Sequence, residues 1–132
     1  LIDLENPVYN ALTTPLRAVF PGIYLTGEAV ASPSVFPCVS IVEQSNTTNT
    51  QTLTQTLCEN HADVMFQIDV YSNLSTGKKG ECKKIFKVID EQMQNMGFVR
   101  NFLNPTPNTT DIYRMTGRYN ALVATDLTVY RR

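Results

Sequence analysis

From residue 61 to residue 98 the hydrophobic pattern changes period once, from two to 3.6, and that switch limits the fold more than any other feature. Val64, Phe66, Ile68 and Val70 alternate with Asp63, Gln67, Asp69 and Tyr71. The segment His61–Ser72 therefore reads as a strand with one apolar and one polar face. After Gly80, the side chains of Cys82, Ile85, Phe86, Ile89, Met93 and Met96 fall within an arc of about 100° on a helical projection. A sheet with one covered face, and a helix to cover it, is the architecture this pattern requires. Gly97 is placed as the residue that ends the helix.

The flanking segments extend this scheme. Residues 4–20 read as a helix with Leu4, Val8, Leu12, Leu16, Val19 and Phe20 on its apolar side. Pro7 suits a first turn, whereas Pro15 removes a hydrogen bond and crowds the preceding turn, which predicts a kink or a split into two short helices. Ile23–Ala29 reads as a short strand and Val30–Pro37 as a linker. Cys38–Gln44 is a strand apolar on both faces at Val39, Ile41 and Val42, which suits an interior position. Residues 45–56 are almost free of charge and of core-forming side chains, so they read either as a mobile hairpin tip or as a segment that orders against a partner. Phe98–Leu103 is a short strand that stops at the turn-rich Asn104–Asn108. Asp111–Val123 alternates again, with Tyr113, Met115, Tyr119, Ala121 and Val123 opposite Ile112, Arg114, Thr116, Arg118 and Asn120. At about 3.3 Å per residue it would run about 40 Å, so a bend or bulge at Gly117 and a C-terminal hairpin projecting beyond the core are expected. A turn at residues 124–126 leads into 127–132.

The chain has 132 residues, enough for one domain (1–132) with a core that needs no disulfide or metal. A net charge of −1 argues against a dedicated nucleic-acid-binding domain. No apolar run is long enough to cross a membrane, and Leu1–Pro7 has neither the basic start nor the apolar stretch of a signal peptide. The three cysteines, Cys38, Cys58 and Cys82, match neither a disulfide framework nor a metal site. Reduced, structural thiols and intracellular synthesis are expected. Three glycosylation triplets, at Asn46, Asn73 and Asn108, lie in Asn/Thr/Ser-rich stretches where such triplets arise by chance.

Catalytic chemistry has little to work with. His61 is the single histidine, so there is no His dyad, and no Gly-x-Ser-x-Gly elbow presents a serine. Gly22–Gly27 has Walker-like spacing without the Lys-Ser/Thr, and Thr76–Gly80 lacks the upstream glycine. Asp63 and Asp69 are about 20 Å apart along one strand and cannot share a proton or a metal. Asp90 and Glu91 read as a solvated helix face. No catalytic, cofactor-binding or metal-ligating set is expected.

Charge placement points elsewhere. Lys78, Lys79, Lys83 and Lys84 crowd the start of the helix while Asp90 and Glu91 lie toward its end, an order that opposes the helix dipole by a few tenths of a kcal/mol or more per charge. An acidic partner near 76–84 would account for it, as would drift on an indifferent face. Arg114 and Arg118 lie about 13 Å apart on the outer face of the long strand. They read either as protection of an exposed sheet edge or as subunit contacts, for which Arg is favoured.

In order along the chain, a leading helix ends in Pro21-Gly-Ile-Tyr24 and is followed by Pro37-Cys-Val-Ser-Ile-Val-Glu43 and Phe66-Gln-Ile-Asp-Val-Tyr-Ser72. A Lys-rich helix then ends in Met96-Gly-Phe-Val-Arg100, and the chain closes with Ile112-Tyr-Arg-Met-Thr-Gly-Arg-Tyr119 and Tyr130-Arg131. Taken together, these pieces resemble the tail-terminator and tail-completion proteins of long-tailed bacteriophages, a group that includes head–tail joining proteins. The resemblance implies an α+β fold, with helices packed on one face of a mainly antiparallel sheet. It implies a homo-oligomeric ring, a hexamer by the family's pattern, that caps the tail tube and docks the head connector. The partners would be the tail tube protein and a head–tail connector or neck protein, with no membrane and no sequence-specific nucleic acid. The place would be the tail–neck junction of a virion assembled in the host cytoplasm. Under this reading Lys78, Lys79, Lys83, Lys84, Arg114 and Arg118 are candidates for subunit or partner contacts. Asn46, Asn49, Gln51 and Gln55 would lie on a loop meeting the tube or lining the lumen. A neck connector of the same architecture, a secreted binding module and a small hydrolase are the alternatives.

Overall fold

A computed structural model describes residues 5–28, 36–48, 61–73, 76–106, 112–124 and 129–130. In chain order the elements are α1 (Glu5–Val19), β1 (Tyr24–Thr26), β2 (Cys38–Thr48), β3 (His61–Ser72), α2 (Lys78–Asn95), β4 (Val99–Thr106), β5 (Tyr113–Ala124) and β6 (Val129–Tyr130). The fold is α+β, and only the β1–β2 pair is parallel. The sheet runs β1-β2-β3-β5-β4, with β6 pairing the far end of β5. β3, α2 and β4 form a split βαβ unit, with β5 inserted between the two parallel strands.

The core lies between the sheet and the two helices. Val64, Phe66, Ile68 and Val70 of β3 are buried with Cys82, Ile85, Phe86, Ile89 and Met93 of α2, as the two periods require. Phe66 meets Phe98 edge-to-face at 5.8 Å. In α1, Val8, Leu12 and Leu16 are buried at a spacing of four, each contributing about 1.5–3 kcal/mol by leaving water. Tyr9 Oη also donates to the Leu25 carbonyl of β1 at 3.1 Å. α2 ends as expected. Gly97 has φ 94°, its N–H bonds the Gln94 carbonyl, and the Phe98 N–H bonds the Met93 carbonyl, the paired bonds of a Schellman cap.

Several boundaries depart from the sequence reading. α1 is one helix despite Pro15; the burial of Leu12 and Leu16 on either side of it holds the turn together. β2 does not stop at Gln44 but continues to Thr48. A register shift between Glu43 and Ser45 realigns the polar run Ser45–Thr48 against Ala62–Met65. Pairing with β3 overrides the absence of apolar alternation there, so Asn46 is a strand residue, opposite Val64, and not part of a loop. β4 likewise runs through Asn104 and Pro105 to Thr106. Proline is accommodated because β4 lies at the end of the main strand order. β5 has the predicted length but no register shift at Gly117. The C-terminal hairpin is formed by β4 and β5, and the length of β5 is matched by β3, which pairs with it over all 12 residues.

Cys38 and Cys82 are buried free thiols; Cys58 lies outside the described residues. The Cys82 thiol points at the Val70 and Tyr113 carbonyls, at 3.6 and 3.8 Å. Burial pushes it from 9.0 to about 12, with the Glu81 charge adding to the effect, and pushes Cys38 from 9.0 to about 11. Both groups therefore hold their protons more tightly folded than unfolded, and their contribution to stability is lost as pH rises above the unfolded value. Denaturation midpoints should be level through neutral pH and fall above about pH 9. Cys82→Ala should flatten part of that decline. An equally steep decline in Cys82→Ala would show that another group is responsible.

Candidate functional site

Two surfaces carry the candidate residues, one on each side of the molecule. The first is the sheet face turned away from the helices. Antiparallel register places Tyr71 opposite Arg114, Asp69 opposite Thr116 and Gln67 opposite Arg118, and directly paired residues share a face. Asp69, only 5% exposed, is the hub. Its Oδ1 accepts from Arg114 Nε at 3.1 Å and from the Thr116 hydroxyl, and its Oδ2 accepts from Gln67 Nε2 at 3.1 Å. Gln67 Oε1 in turn accepts from Arg118 Nε at 3.0 Å. The Arg114 guanidinium lies 5.4 Å from the Tyr71 ring centroid and that of Arg118 lies 5.2 Å from the Phe102 ring, within cation–π range. Burial works against the Arg114 charge, but the hydrogen bond and charge of Asp69, with Tyr71, outweigh it and leave its pKa raised. The Tyr71 hydroxyl is also raised, mainly by burial and then by Asp69.

This corrects one expectation. β5 is interior, flanked by β3 and β4, so Arg114 and Arg118 do not protect a sheet edge. Each is bonded to the neighbouring strand and stacked on an aromatic ring. Asp63 and Asp69 do share a face, as expected, and Asp69 is the one that bonds Arg114, Thr116 and Gln67.

The second surface is the outer side of α2. Lys79, Lys83 and Lys84 are exposed and Lys78 is partly buried. Lys87, one turn beyond Lys83, continues the same exposed ridge. Among the described residues none of these five lysines forms an ion pair. Gly77, with φ 80°, caps the helix without a side-chain hydrogen bond. The first-turn carboxylate of Glu81 is held by the Ser72 hydroxyl at 2.6 Å.

Alongside the lysines runs a furrow between the end of α1 and α2. One recess of about 330 Å³ is lined by Val19, Phe20, Lys84, Lys87, Val88 and Glu91. A second, of about 400 Å³, continues it past Phe20 and Lys84 to Thr76, Gly77, Gly80 and Glu81. Val19, expected in the core, is 58% exposed. The helix ends there and Ile23 bonds back to the Phe20 carbonyl, which turns the chain into β1 and leaves Val19 outside. Helical periodicity through Val19 concealed the furrow; Lys87 is absent from the residues singled out in the sequence, though its i, i+3 and i, i+4 spacing from Lys84 and Lys83 is the signal that would have found it.

Asp90 also departs from its expected solvated role. Its Oδ1 accepts from Tyr119 Oη and from Arg100 Nη1, each at 3.1 Å, and its Oδ2 accepts from Gln94 Nε2 at 2.8 Å. The group ties α2 to β4 and β5. Burial, then Asp90, raises the Tyr119 hydroxyl. Glu91 remains exposed. The His61 side chain and residues Asn49, Gln51 and Gln55 lie outside the described residues. Among those described, no three His, Cys, Asp or Glu side chains come together as a metal site, and no helix is long and apolar enough to cross a membrane. In comparison with known proteins, no family model matches this chain and no curated protein matches its sequence.

Proposed function

We propose that this chain is a tail-terminator subunit of a long-tailed bacteriophage. It assembles into a ring that caps the tail tube, stops its polymerisation and offers a docking surface to the head connector. The observation that carries this reading is the presence of two chemically unlike surfaces on opposite layers, the Arg–Gln–Asp sheet face and the lysine-bearing α2 face. A closed ring is built from heterologous contacts and needs two such patches per subunit. β4 also has features that discourage edge-to-edge sheet extension, with Pro105 in the strand and a register shift between Arg100 and Phe102. Face contacts are therefore the preferred route to assembly.

Light scattering and native mass spectrometry on the purified chain, alone and with tail tube protein, should give one discrete closed oligomer. A monomer under both conditions at high concentration would overturn the reading. Lys83→Glu with Lys87→Glu, and separately Arg118→Glu, are the variants that test the two faces. Arg114→Glu is unsuitable, because it sets a second carboxylate against Asp69 and reports on folding instead of assembly.

A further inference from the structure

We infer that the furrow between α1 and α2 docks an acidic segment of a partner protein, with a large apolar side chain of that segment seated on Val19, Phe20 and Val88. The floor is apolar and in part open to solvent, most of all at Val19. Lys84 borders both recesses and Lys87 borders one, with Lys83 on the same ridge. Glu91 closes one end and Glu81 lies at the other, so the positive rim is concentrated between them.

Charge complementarity identifies the class of occupant. The chain carries a net charge of −1, yet this helix gathers five lysines with no ion-pair partner among the described residues, crowding like charges along one ridge. An incoming carboxylate pair would relieve that repulsion, and the apolar anchor would supply burial, the usual division of labour at an interface. A second copy of the chain is told apart by size: a peptide that splits an oligomer of this chain in light scattering would overturn the inference. A nucleic acid is disfavoured, because the floor offers a single partly exposed ring, Phe20, beside aliphatic Val19 and Val88, whereas single strands stack successive bases on several rings. The inference shares the α2 face with the ring proposal, and the two fail separately. A monomer that binds the acidic probe would refute the ring and leave the furrow.

The test uses a fluorescein-labelled synthetic peptide of Glu and Asp residues with two Leu four positions apart, read by fluorescence anisotropy on the full chain. Binding should weaken at least tenfold with Lys84→Glu/Lys87→Glu, and at least threefold with Val19→Ser, whose side chain is already exposed. A peptide with Leu replaced by Ser, or with its acids replaced by Gln, should bind correspondingly less well. Lys84→Gln/Lys87→Gln provides a milder variant should the charge reversal disturb the fold, which circular dichroism will show. The inference is overturned by absence of binding at millimolar peptide or by affinity indifferent to Val19→Ser. It is equally overturned by an oligothymidine that binds more tightly than the peptide and displaces it.

Discussion

Replacing Asp69 by alanine should lower the stability of the fold by about 3 kcal/mol, the low end of the range for breaking a buried ion pair. The carboxylate is nearly enclosed, while Arg114 keeps 25% of its side chain in solvent and can recover part of its hydration. The loss still exceeds that of a single contact. Asp69→Ala removes the acceptor for Arg114, Thr116 and Gln67 together, and unpaired donors in a partly dry setting bear the full cost of desolvation. A fall in melting temperature of roughly 10 °C corresponds to this change in a chain of this size. Asp69→Asn keeps an acceptor oxygen without the charge and should cost about 1–2 kcal/mol. A double-mutant cycle with Arg114→Leu isolates the pair, and the double variant should be more stable than Asp69→Ala alone. Denaturant midpoints equal to the parent's in Asp69→Ala would mean that the network contributes no stability.

Gly117→Val is the second substitution with a large expected effect. Glycine weakens a strand interior, so at an unconstrained position a Cβ would stabilise by about 0.5–1 kcal/mol. Here the sign should reverse. A Cβ at residue 117 would lie 2.8 Å from Phe86 Cε1 and 3.3 Å from Tyr119 Cε2. Phe86 is 1% exposed, so its ring yields only by displacing other side chains of a close-packed core. Overpacking of this kind costs about 1–3 kcal/mol for Gly117→Ala, and more for the branched valine. In a Phe86→Leu background the penalty of Gly117→Ala should shrink markedly, which separates a steric clash from any backbone effect. If Gly117→Ala stabilises the parent protein, the close approach of α2 to β5 is not as described.

These two sites also show how far the sequence could be read. Gly117 stands out in a long alternating strand, where the sequence predicts a bend or a bulge, and the register shows no bulge. Its actual role depends on Phe86, 31 residues earlier, descending onto it from α2. The register shifts occur instead at Glu43/Ser45 and Arg100/Phe102, where polar sequence offers no apolar alternation to reveal them. Arg114 and Arg118 were correctly placed on one outer face, yet their partners were not foreseeable. Asp69 is 45 residues from Arg114, and Gln67 is 51 from Arg118.

The sequence by itself determined the strand at 61–72, the buried face of α2, the helix end at Gly97 and the use of only one sheet face for the helices. Each of these is written in contacts spanning two to five residues, so periodicity and local capping suffice. Tertiary structure alone decided that β5 enters between β3 and β4, and with it which polar side chains meet. Side-chain alternation specifies a face but not a neighbour, and the neighbour follows from strand order and register. The same holds for the furrow: the lysine ridge belongs to α2 by its spacing, but its apolar floor exists only because α1 ends beside it.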